Sequence, residues 1–133
     1  MMNSVVVDAP ERTAGERLRM EFPILGCSKT AEGWDCRIAI PLKHPVFEGH
    51  FPGRPVLPGI AHLAVAVQAM AAVTKRRVVL AAVPILRLRR PVAPGDVLDV
   101  SIRRPTPDAT VPFDIRRGAE RVSSGILVPD RET

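Results

Sequence analysis

Ile60-Ala61-His62-Leu63-Ala64-Val65-Ala66-Val67-Gln68-Ala69-Met70-Ala71-Ala72-Val73 is the stretch on which the fold turns. Only His62 and Gln68 in it are polar. Ala, Leu and Met are strong helix formers, and the length suits about four turns. A helix that is apolar nearly all round must be buried on most sides. Pro58 stands just before its first turn, and Lys75-Arg76-Arg77 stand at its end, where cations complement the helix dipole.

Outward from this helix the pattern changes to period two, the signature of half-buried strands. Trp34, Cys36, Ile38 and Ile40 alternate with Asp35, Arg37 and Ala39. Leu86 and Leu88 alternate with Arg87 and Arg89; Leu98, Val100 and Ile102 with Asp99, Ser101 and Arg103. Val111, Phe113 and Ile115 alternate with Asp114 and Arg116, and Val122 to Val128 reads as a last strand. Ala31-Glu32-Gly33, Pro91 to Asp96 and Arg117-Gly118-Ala119-Glu120 read as turns. Arg17 to Cys27, with Leu18, Met20, Phe22, Ile24 and Leu25, reads as a first strand or an entry into one. Residues 1–17 are polar and aperiodic apart from Val5-Val6-Val7, and read as a loose arm; 129–133 read as a frayed tail. The expectation is one α+β domain over residues 18–128, a curved antiparallel sheet wrapped around one central helix. Such a sheet leaves an edge strand free, which a dimer joined edge to edge would satisfy.

Composition narrows the class. At 133 residues the chain has room for one domain, and 46% hydrophobic with 25% charged residues is enough for a packed core. Its 14 prolines argue against a helical bundle. A net charge of +5 favours acidic partners. Nucleic acid is set aside, because no aromatic stacking set or binding motif accompanies the charge. No apolar run approaches a membrane-spanning length, and Met1 to Pro10 lacks the features of a signal peptide, so a cytoplasmic protein without a membrane partner is expected. Cys27 and Cys36 lie nine apart with no ligating neighbour. No metal site is expected; reduced thiols are, with a disulfide across neighbouring strands as the alternative.

Between the first strands and the helix lies Pro41 to Gly59, broken by Pro41, Pro45, Pro52, Pro55 and Pro58, where no regular element is expected. A long ordered loop in a small domain is more often functional than accidental. Within it, Gly49-His50-Phe51-Pro52-Gly53-Arg54-Pro55-Val56-Leu57-Pro58-Gly59 resembles the signature loop of the FabZ-like and FabA-like 3-hydroxyacyl-acyl-carrier-protein dehydratases. Leu88-Arg89-Arg90-Pro91-Val92-Ala93-Pro94-Gly95-Asp96-Val97-Leu98 is similar to their second block. The resemblance spans roughly Phe22 to Val128, and two blocks in order around a buried helix make it specific.

The resemblance implies the hotdog fold, a dimer with two shared sites, and elimination of water from a 3-hydroxyacyl thioester in fatty-acid or polyketide-like synthesis. No cofactor is implied. His50 would be the base that takes the α-proton. The backbone N–H near Gly59, at the positive end of the helix, would face the thioester oxygen. Phe51, Pro52 and Leu57 would shape an apolar tunnel for the acyl chain. The partner is an acyl carrier protein bearing a phosphopantetheine thioester, and Arg87, Arg89 and Arg90 would hold it.

The sequence departs from the family pattern at one position. The family's carboxylate lies fourteen residues after the histidine and works in the partner subunit's site; here that position is Ala64, left to line the acyl site. Gln68 matches the family one helical turn further on and would hold a water or a hydroxyl. His62 lies about 200° from Ala64 around the helix and reads as a helix-entry histidine. Glu48 and Asp96 lack the spacing to stand in. Three readings follow: a dehydratase whose acid is missing, water-mediated or supplied by another chain; a non-catalytic hotdog subunit in a homodimer or heterodimer; and, third, a thioesterase.

Overall fold

The apolar run folds as one helix, α1 (Gly59–Thr74), in the computed structural model of the chain, which describes residues 5–8, 17–48, 53 and 55–130. Its C-terminus closes in a left-handed turn at Lys75, whose N–H donates to the Ala71 carbonyl. Ala61, His62 and every residue from Ala64 to Ala71 are buried, as an all-apolar helix demands.

The strands are β1 (Val5–Asp8), β2 (Arg17–Met20), β3 (Ile24–Lys29), β4 (Gly33–Ala39), β5 (Leu80–Leu88), β6 (Val97–Arg103), β7 (Val111–Arg117) and β8 (Glu120–Pro129). Six of them make one antiparallel sheet in the order β3-β4-β6-β7-β8-β5, while β1 and β2 pair separately. The sheet presents Cys36, Ile38, Leu98, Val100, Ile102, Val111, Phe113, Ile115 and Leu127 to the core around α1. Its other face carries solvated pairs such as Arg37–Asp99 and Arg103–Glu32, and Asp114 clasped by Arg116 at 2.8 Å and Arg121 at 2.6 Å. This is the hotdog arrangement expected from the sequence. No helix among the described residues is long and apolar enough to cross a membrane.

Several local expectations change. Val5–Asp8 are not a loose arm: they pair antiparallel with Arg17–Met20, since a β-branched run prefers an extended backbone. The Pro41–Gly59 loop contains one turn of 3-10 helix at Pro45–Phe47, which proline at its first position favours. β5 begins at Leu80 rather than Leu86, and Gly125 of β8 explains the close crossing there. A Cβ at Gly125 would overlap the Ile85 carbonyl and the Phe113 ring. Cys27 and Cys36 are not separate thiols but a disulfide. The β3–β4 register sets them directly opposite, with Cα atoms 4.1 Å apart.

Candidate active site

The two sequence blocks meet. The Leu57 N–H donates to the Val92 carbonyl at 2.7 Å, and both side chains are buried. The second block is a turn clamped onto the end of β4: Gly95 N–H donates to Ile40 O at 2.7 Å, and Ile40 N–H to Asp96 O at 2.8 Å. Gly95 has φ +93°, a conformation that glycine adopts readily. The Asp96 carboxylate accepts from Ala93 N–H at 2.9 Å and from the Arg117 guanidinium at 2.6 Å. Arg117 also bonds Glu120, and these bonds to Glu120 and Asp96 raise its pKa further. Asp96 is thus a turn-forming carboxylate, which removes it as a stand-in acid.

The turn and Leu57 together deliver the chain to the start of α1. Pro58 takes the N-cap position, and a proline side chain offers no acceptor to the first turn. Among the described residues the N–H groups of Gly59 and Ile60 have no acceptor, so the start of α1 presents two free donors at the positive end of the dipole. Leu88, 53% exposed, lies against Gly59: a Cβ there would come within 2.9 Å of its Cδ1. Ile60 is 44% exposed beside it. Free donors next to open apolar surface suit a thioester oxygen with a hydrocarbon chain behind it.

His50, Phe51 and Pro52 lie outside the described residues. Of the remaining candidates, Gly59 and Leu57 are brought together as above. Ala64 is 1% exposed within the core cluster. Gln68 is buried and its amide is engaged twice with one residue: Oε1 accepts from Phe22 N–H at 3.0 Å, and Nε2 donates to Phe22 O at 2.5 Å. Holding a water in a site would compete with that pairing. Arg87, Arg89 and Arg90 are exposed at the end of β5, and Arg90 pairs with Glu120 at 3.4 Å.

Two polar groups were not legible beforehand in these roles. His62 is buried and its Nδ1 meets Ser123 Oγ of β8 at 2.9 Å; burial pushes its pKa down to about 4. His44 is held by both ring nitrogens and stacks on Phe22. Ser123, Glu21 and Phe22 are all distant in sequence from the histidine they contact, so no local pattern points to these pairings; only the bond from Val46 N–H to His44 is local. No cluster of His, Cys, Asp and Glu able to hold a metal occurs among the described residues.

The ApeI dehydratase family model matches residues 27–126. A 3-hydroxyacyl-[acyl-carrier-protein] dehydratase FabZ from Herpetosiphon aurantiacus is 36% identical over 47% of this chain and 50% of its own length. The FabZ of Haemophilus influenzae is 35% identical over 48% of this chain and 49% of its own. The chain thus spans about half the length of the curated relatives it matches. In three dimensions it is similar to a chain of the dehydratase heterocomplex ApeI:P from Xenorhabdus doucetiae, with a TM-score of 0.72, 20% identity, and 84% and 100% of the two chains covered.

Proposed function

Starting from the chain's membership of the ApeI-like dehydratase family, we propose that it eliminates water from 3-hydroxyacyl thioesters carried on an acyl carrier protein. The observation that carries this reading is the start of α1: two N–H groups without an acceptor among the described residues, beside the exposed Leu88.

The chemistry asks for three things. A base must break the Cα–H bond, and His50 of the motif is that base. The electron pair moves toward the thioester oxygen, where the Gly59 and Ile60 N–H groups stabilise the developing negative charge. It then forms the Cα–Cβ double bond as the Cβ–O bond breaks, and the hydroxide leaves with a proton as water. That last proton needs a donor. Ala64 cannot give one, and the Gln68 amide is occupied by Phe22. We assign the donor to a second hotdog subunit docked on the free β5 edge. Arg87 and Arg89 are exposed at the same end of β5, and their charge supports a contact with an acidic carrier.

The test is to incubate the purified chain with a 3-hydroxyacyl thioester and follow enoyl absorbance. His50→Ala should remove turnover. Equal turnover in His50→Ala overturns the role of His50. A second reading is favoured by Ala64 itself: a non-catalytic subunit that binds acyl chains or completes a heterodimer. The two separate in one variant. If the site lacks only an acid, Ala64→Glu raises the rate on the order of 10²-fold, the usual worth of a positioned acid or base. No gain, from a folded variant, favours the non-catalytic subunit.

A further inference from the structure

We propose that His44 is a positioning residue, tying the beginning of the motif loop to the buried helix through Phe22. The proposal rests on the reading of His50 as the base.

Five contacts make the tie. Val46 N–H donates to His44 Nδ1 at 3.0 Å, capping the short 3-10 turn that opens the loop. His44 Nε2 meets the Glu21 carbonyl at 2.9 Å. The imidazole stacks on the Phe22 ring with centroids 4.7 Å apart and planes 20° from parallel. Phe22, in turn, has both its backbone N–H and its carbonyl bound by the Gln68 amide inside α1. The chain of contacts runs from helix to Phe22 to imidazole to loop.

The donor pattern fixes the ring. A backbone N–H can only donate and a carbonyl can only accept, so Nδ1 carries the lone pair and Nε2 the proton. Only the neutral Nε2–H tautomer satisfies both partners. A ring held at two nitrogens and one face has no rotational freedom left. The loop needs such a fixture. Proline removes donors along it, and among the described residues its backbone bonds outside the regular helix ladder are Phe47 N–H to His44 O, Glu48 N–H to Pro45 O and, at its far end, Leu57 N–H to Val92 O and Ala61 N–H to Pro58 O. The imidazole therefore sets the point from which the chain runs on to His50, and a displacement of about 1 Å at a reacting group costs on the order of 10²-fold in rate.

Three variants divide the tie. His44→Asn keeps a capping acceptor for Val46 N–H but loses the reach to Glu21 and the stack. His44→Phe keeps the stack and loses both hydrogen bonds. His44→Ala loses all three. Amide hydrogen exchange needs no substrate: at Val46 and Glu48 it should quicken about tenfold or more in His44→Phe and His44→Ala, and less in His44→Asn. In steady-state kinetics, at a temperature where circular dichroism shows full folding, all three should lower kcat about tenfold or more with KM nearly unchanged. Unchanged exchange in His44→Phe overturns the tie, and so does a kcat that merely follows the folded fraction. Should His44→Ala not fold, the other two carry the comparison. If the wild-type chain alone gives no enoyl product, its reading as a self-sufficient dehydratase fails by itself, and the exchange rates alone decide whether the tie exists.

Discussion

His62 carries a proton equilibrium that the fold has moved. Burial against Ser123 lowers its pKa from 6.5 to about 4, so the native chain binds this proton less readily than the unfolded one. Stability is therefore whole above about pH 6.5 and falls as the pH drops toward 4. The contribution lost is at most about 3 kcal/mol, from the 1.36 kcal/mol per pKa unit of linkage. Urea unfolding at a series of pH values should show this decline, and His62→Gln should flatten it while still offering Ser123 a hydrogen-bond partner. A slope unchanged in His62→Gln means that other groups drive the acid sensitivity. Histidines also mark how far the sequence could be read. His50 stands out because its neighbours form a motif, and it lies outside the described residues. His62 was legible as a packing residue of the helix entry, but its partner Ser123 lies 61 positions away. His44 was not legible at all, since its partner Glu21 lies 23 positions back and Phe22 was seen only as a strand residue.

Elements were legible in proportion to the regularity of their alternation. β4, β6 and β7 keep strict period two, and they appear where the pattern places them. β5 was seen only at its end, because Ala81, Ala82 and Pro84 give no contrast between faces and the register slips twice along its pairing with β8. The β3–β4 hairpin was legible as strand and turn, but not as a covalent unit. All of β3 after Ile24 is exposed, and little apolar burial holds it in place. Its disulfide to the buried Cys36 supplies that anchorage. Cross-linking a loop of about ten residues is worth about 2–3 kcal/mol in the chain-entropy model. Cys27→Ser should lose an amount of that order in chemical denaturation, and reductant should bring the wild type to the same value. Identical midpoints with and without reductant would mean that the bond contributes no stability.

For the molecule as a whole, the sheet order leaves two edges, β3 and β5, and they are not equivalent. Both edges carry irregularities, one register shift in β3 and two with Pro84 in β5, but β3 is short, exposed after Ile24 and ends at Lys29, which discourages further pairing. β5 is longer, carries Ile85 at 36% exposure near its middle, and ends with Leu88 beside the free start of α1. A second hotdog subunit paired along β5 would cover this surface and set its own helix near the same donors; an identical copy brings Ala64 again, so an acid is added there only by a hotdog subunit of different sequence. In a symmetric pair a strand's middle residues face their own copies across the two-fold axis. Ile85→Glu therefore brings two like charges together in a dimer, while in a monomer it alters one half-exposed side chain. Analytical ultracentrifugation should find the wild type at twice its 14.5 kDa chain mass and Ile85→Glu largely at the single-chain mass, still folded. Leu25→Glu on β3, equally a charge at a sheet edge, should leave the dimer intact. Should Leu25→Glu split the dimer and Ile85→Glu spare it, the subunits meet along β3, at the opposite edge of the sheet from the strand that touches Gly59, and β5 is not the edge on which a second subunit completes the site.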